Sequence, residues 1–236
     1  MPYYWTAFIA VGAVGLSYLA YRLYGRYQAT REDPERWEKE IQEIEARYGE
    51  YKPTGRIIFL GSSSIKLWET LEEDMAPFDV LNHGFGGSKV LDAGYYLNRL
   101  VYPFKPRALV IFSGTNDING IKGNSKSGEQ VFFSTVNMIE TYHEFYPEIP
   151  IFYISITPTP LRWKVWRDAD ATNKLMAKYV ERNPYITLID TTEEFLNTNG
   201  KPKETLFQRD KLHLNEKGYT LWTSLIKPVL EEKLGE

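Results

Sequence analysis

No cysteine occurs anywhere in this chain, so neither a disulfide nor a thiolate metal site is open to it. Histidine is scarce as well. His83, His143 and His213 are the whole set, and none pairs with another at metal-ligand spacing. Positive charge is not in excess either: 28 Lys and Arg stand against 31 Asp and Glu, a formal net charge of −3. That balance gives no electrostatic basis for a nucleic-acid partner. No internal repeat is visible, and no low-complexity linker follows residue 55. What remains is 236 residues of ordinary globular composition, 43% hydrophobic and 25% charged. The length suits one domain of usual size plus an additional segment.

One further absence locates that segment. From Met1 to Tyr21 no side chain is charged, and PYYWTAFIAVGAVGLSYLAY is almost wholly apolar. A run of about 20 apolar residues matches the hydrocarbon thickness of a bilayer. Tyr3, Tyr4 and Trp5 at one end, with Tyr18, Tyr21, Tyr24 and Tyr27 at the other, resemble interfacial aromatic belts. A cleaved signal peptide fits less well, since a basic n-region is missing and Tyr18–Ala20 is not a small-x-small site. A buried soluble helix is the remaining alternative. Residues 1–27 are therefore expected to form a single N-terminal transmembrane helix with its flanks. Arg22, Arg26 and Arg31 follow it, and only the terminal amine precedes it. The positive-inside bias then places a single-pass protein with its body on the cytoplasmic face. Ala10, Gly12, Ala13, Gly15 and Ser17 would permit close helix packing, and with it a homodimer through the membrane.

Residues 28–54 read as an amphipathic connector helix. Asp33-Pro34 has the form of an N-cap followed by proline at the first helical position. Trp37, Ile41, Ile44 and Tyr48 recur at helical spacing and share one face over roughly 34–48. From Gly55 onward short apolar runs alternate with longer amphipathic stretches. Strands are expected at 56–60, 78–82, 107–112, 149–155 and 186–190, with helices near 65–75, 88–101, 128–146, 168–182 and 216–233. Such alternation predicts βαβ units and a five-stranded parallel sheet covered on both faces, as one domain over 55–236.

In sheets of this kind ligands sit beyond the C-terminal strand ends. The first strand is followed by Gly61-Ser62-Ser63-Ser64, the second by Asn82-His83-Gly84-Phe85-Gly86-Gly87-Ser88, and the third by Ser113-Gly114-Thr115-Asn116-Asp117. The C-terminal stretch adds Arg209-Asp210-Lys211-Leu212-His213-Leu214-Asn215. Each alone has a plain account as turn, cap or solvated loop. Together they can converge at one sheet edge with the parts of a hydrolytic site. A serine hydroxyl needs a base, and His213 is the natural one. Asp210 could hold the other ring nitrogen. The nucleophile's own N–H, a glycine N–H from 84–87 and the Asn116 amide could receive an oxyanion. His83 and His143 read as a loop residue and a helix-surface residue.

GSSSI at 61–65, NHGFGG at 82–87, GTND at 114–117 and DKLH at 210–213, the last followed by LNEKGY, resemble the four ordered blocks of the SGNH (GDSL-type) hydrolase family. The resemblance covers about 55–230. It implies a flavodoxin-like three-layer α/β/α sandwich that hydrolyses carboxylic esters or thioesters, with no metal or cofactor. Carried over by position, it puts the nucleophile on Ser63, the oxyanion donors on Ser63, Gly87 and Asn116, and the acid and base on Asp210 and His213. The block's usual aspartate is replaced by Ser62, which leaves a serine on either side of Ser63.

The substrate is less legible. Leu161, Trp163, Val165 and Trp166 follow the fourth strand and could line an acyl pocket, act as a lid, touch a lipid interface or pack under their loop. Trp163 and Trp166 are the candidate substrate-pocket residues. The reading is a membrane-anchored serine esterase acting on acyl esters, including lipidic ones at the bilayer. An acyltransferase or carbohydrate deacetylase with the same triad is the alternative, and a non-catalytic membrane-tethered binding domain the further one.

Overall fold

The three central strands are apolar at nearly every position because alternate side chains enter two separate hydrophobic layers. Ile58 and Leu60 join one buried cluster, whereas Ile57 and Phe59 join the other. A strand covered on both faces has no polar side to show, which is why these segments read as runs rather than alternations.

The computed structural model describes residues 33–235. The anchor expected at 1–27 lies outside them; among the described residues no helix is long and apolar enough to cross a membrane. A 3-10 turn, Pro34–Trp37, leads into α1 (Glu38–Ala46). Then follow β1 (Ile57–Gly61), the short helices α2 (Ser63–Lys66) and α3 (Leu71–Met75), and β2 (Val80–Gly84). After α4 (Val90–Tyr95) and α5 (Leu97–Leu100) come β3 (Ala108–Phe112), α6 (Gly128–Phe145) and β4 (Ile151–Ile154). The chain closes with α7 (Trp166–Val180), β5 (Ile186–Ile189) and α8 (Glu216–Leu234). The strands are all parallel, in the order β2-β1-β3-β4-β5. That is the flavodoxin-like order of a doubly wound sheet.

Helices α1, α4, α5, α6 and α7 place residues in one cluster, and α2, α3 and α8 in the other. The expected apolar face of α1 is buried: Trp37, Ile41 and Ile44 lie in the same core as the strands, and residues from Pro34 onward form one unit. Burial of this kind contributes about 1.5–3 kcal/mol per large side chain, which suffices to dock a helix of this length. Local chemistry fixes the helix starts. Ser127 and Gln130 form a reciprocal capping box on α6. Asn215 Oδ1 accepts the Gly218 N–H at 3.1 Å to cap α8.

Three expectations change. The stretch 88–101 is two short helices, α4 and α5, parted at Tyr96. The stretch 65–75 is not one helix, because the Asn82 amide takes the carbonyls of Ile65 and Trp68 at 2.7 and 3.3 Å, which a continuous helix would use internally. His83 is not a loop residue. It is a wholly buried member of β2, with Nδ1 on the Leu100 carbonyl at 2.6 Å and Nε2 on the Tyr48 hydroxyl at 3.1 Å.

Candidate active site

The sheet register aligns three strand ends. Gly61 lies opposite Gly84 on one side and Phe112 on the other. Ser63, Gly87 and Asn116 each follow within a few residues of those ends, so the topology alone brings them to one edge. The approach is close. A Cβ at Gly84 would lie 2.1 Å from the Lys66 backbone nitrogen, so only glycine lets β2 end against α2.

Ser63 opens α2, and its hydroxyl lies 2.9 Å from His213 Nε2. The other ring nitrogen, Nδ1, lies 2.5 Å from Asp210 Oδ2. Asp210 can only accept while ionised, so the ring proton belongs on Nδ1 and Nε2 is left to accept from the Ser63 hydroxyl. The acid also builds its own loop: Asp210 Oδ1 accepts the N–H groups of Leu212 and His213, both at 3.0 Å. Partial burial raises the Asp210 pKa, but the Leu212 N–H, the His213 ring and the His213 N–H outweigh it and hold the carboxyl below its ordinary value.

The two flanking serines play different parts. Ser62 sits at the N-cap position of α2, yet its side chain makes no capping bond; its carbonyl accepts from Ile65 and Lys66 instead. The Ser64 carbonyl accepts the Tyr219 hydroxyl at 2.9 Å. Of the three, only Ser63 has its hydroxyl on the histidine.

On the oxyanion side, Gly87 has φ +76°, a left-handed conformation that favours glycine. Neither its N–H nor that of Ser63 has a hydrogen-bond partner among the described residues. Asn116 uses one amide hydrogen on the Ser88 carbonyl at 3.0 Å, which leaves the second available. Asp117, which the sequence reading did not single out, anchors this turn. It is wholly buried, accepts the Val90 N–H at 3.1 Å, and faces Lys126 Nζ at 3.4 Å. Burial pushes its carboxyl upward, with Lys126 and the Val90 N–H pulling the other way. Its place at the end of GTND was the only signal in the sequence.

These elements make a serine, an imidazole and a carboxylate in one hydrogen-bonded chain beside unclaimed N–H donors. A match to the GDSL-like lipase/acylhydrolase family model spans residues 59–221. The chain belongs to this family. No curated protein matches the sequence. Among solved structures, a Bacteroides fragilis protein described as an acylhydrolase is similar at 19% identity and TM-score 0.71, over 86% of this chain and 100% of its own. A GDSL-like lipase from Bacteroides thetaiotaomicron has 18% identity and TM-score 0.67, over 85% and 98%. A carbohydrate esterase family 3 structure from Talaromyces cellulolyticus has 18% identity and TM-score 0.63, over 77% and 99%. At such identities the likeness is one of fold.

In this GDSL-like family member the two tryptophans after β4 stack on each other at 6.0 Å. They part in their surroundings. Trp166 lines a small cavity of about 10 Å³ with Thr115, Thr157 and Arg162, whereas Trp163 lies under Lys201 Nζ at 4.9 Å. A cavity of that size holds about one water. Arg162 donates to the Asn119 carbonyl at 2.5 Å and has no carboxylate partner among the described residues. The Leu161 N–H donates to the Lys211 carbonyl at 2.9 Å, which joins this loop to the Asp210–His213 loop. Among the described residues no group of three or more His, Asp or Glu could hold a metal ion.

Proposed function

We propose that this protein is a membrane-anchored serine esterase that hydrolyses carboxylic acyl esters. The observation that carries the reading is His213, whose ring bonds Ser63 Oγ and Asp210 Oδ2 at once. Ser63 Oγ attacks the ester carbonyl carbon while His213 Nε2 takes its proton. Asp210 keeps the ring in the required tautomer and stabilises the imidazolium. The carbonyl oxygen, now an anion, is received by the N–H groups of Ser63 and Gly87 and by the Asn116 amide. His213 then returns the proton to the leaving alkoxide, and Ser63 carries the acyl group. Water, deprotonated by His213, cleaves that acyl-enzyme and restores the serine.

Trp163 and Trp166 are the proposed edge of the acyl-binding region. The anchor rests on the apolar run 1–21, and the cytoplasmic placement on Arg22, Arg26 and Arg31. Short-chain ester hydrolysis by the full-length protein, with Ser63→Ala as control, tests the chemistry. Activity lost in the variant supports it, and undiminished activity in the variant refutes it. Release of product to an added alcohol or sugar in preference to water would turn the reading to acyl transfer. No hydrolysis by a folded protein would favour a tethered binding domain.

A further inference from the structure

Helix α1 precedes the region matched by the family model, yet one of its side chains reaches the loop that carries Gly87. Glu40 Oε2 accepts two hydrogen bonds: one from the Gly86 N–H at 2.9 Å and one from Lys66 Nζ at 2.7 Å. Gly86 directly precedes the proposed oxyanion donor. Lys66 ends α2, the single helix that begins with Ser63. A single carboxylate oxygen thus ties the nucleophile's helix to the oxyanion loop.

The loop needs such a tie. Gly86 and Gly87 are adjacent residues with no side chains to pack, so their peptide planes are the freest in the segment. The N–H groups leading to Gly87 are claimed in turn: Gly84 donates to Asn82 Oδ1 at 3.0 Å, Phe85 to the Gly61 carbonyl at 3.0 Å, and Gly86 to Glu40. Gly87 is the first N–H left over. Trp37, also ahead of the matched region, closes the other side. Its ring packs edge-on against Phe85 with centroids 5.9 Å apart, and a Cβ on Gly87 would lie 3.2 Å from it.

We infer that Glu40 is a positioning residue for the oxyanion hole. The N-terminal helix, rather than the matched core alone, completes the hydrolytic site. The inference rests on the serine-esterase reading, and it is testable only once the wild-type protein hydrolyses an ester; an inactive wild type would defeat that reading instead. Glu40→Ala should lower kcat by roughly tenfold to a hundredfold with KM nearly unchanged. That is short of the roughly 10²–10³ typical of removing a donor outright, because the Gly87 N–H is still present. Affinity for a trifluoromethyl ketone, which mimics the tetrahedral adduct, should fall in parallel. Glu40→Gln keeps an acceptor for Gly86 and should recover most of the rate.

Helix docking alone must be separated from positioning. Arg99 bonds Glu38 and Glu45 of the same helix at 2.6 and 2.5 Å, away from the glycine loop. Arg99→Met should lower the melting temperature and leave kcat as it is. If Glu40→Ala does not fold, Glu40→Asp retains the charge but withdraws the carboxylate by one methylene, and should show the same selective fall in kcat. A folded Glu40→Ala or Glu40→Asp with wild-type kcat and inhibitor affinity would overturn the inference. So would a loss in Glu40→Ala that is wholly in KM.

Discussion

Two histidines in this molecule are wired alike in different surroundings. His83 and His213 each engage one ring nitrogen with an oxygen acceptor and the other with a hydroxyl. For His83, in β2, the acceptor is the Leu100 carbonyl at the end of α5 and the hydroxyl is that of half-buried Tyr48, just beyond α1. For His213 the acceptor is a carboxylate and the hydroxyl is Ser63, on an irregular loop at the sheet edge. A carbonyl fixes a tautomer but brings no charge to stabilise an imidazolium. Burial accordingly depresses the His83 pKa to about 4, against the opposing effect of the Leu100 bond. Hydrogen-bond topology alone therefore does not make a catalytic histidine. A charged partner is what His213 has in Asp210 and His83 lacks in the Leu100 carbonyl.

The comparison can be broken most severely at Asp210. Asp210→Asn should lower kcat by about 10⁴-fold, since an amide in that position can leave the wrong ring nitrogen protonated. Ester turnover within tenfold of wild type would mean that His213 needs the carboxylate no more than His83 does. Next in size is Asn116→Ala. Losing an oxyanion donor should cost about 10²–10³ in kcat with little change in KM, a feature without counterpart around His83. Steady-state kinetics that show only a KM effect would remove Asn116 from the site.

His83 sharpens the contrast through stability. In the unfolded chain it takes a proton near its ordinary value of 6.5, whereas in the folded protein it resists until about 4. Between those values the unfolded state binds the extra proton, so folding stability falls as pH drops through that window. The loss reaches on the order of 3 kcal/mol near its acid end. Urea titrations at stepped pH should show this slope, and His83→Gln should flatten it. The smallest effect belongs to Tyr48→Phe. It should cost about 1 kcal/mol through the lost bond to His83, with ester hydrolysis unaltered. A large fall in activity there would join the two histidine networks.

What could be read from the sequence follows the same division. The central strands were legible because both of their faces are buried, which forces a continuous apolar run such as Ala108–Phe112. The site motifs were legible because parallel topology delivers the residues after β1, β2 and β3 to one edge. His83 was not, since its partners Tyr48 and Leu100 are remote in sequence and nothing local announces that a polar residue will be satisfied in the core. Glu40 was equally hidden among 31 acidic residues, and it becomes distinct only when α1 docks. The break between α2 and α3 also depends on a distant side chain, Asn82.

The most direct measurement is labelling of the purified full-length protein with a fluorophosphonate, followed by peptide mapping of the adduct. One adduct on Ser63, abolished in Ser63→Ala together with ester hydrolysis, is the expected result. An adduct that persists in Ser63→Ala, on Ser62 or Ser64, would contradict the assignment of the nucleophile.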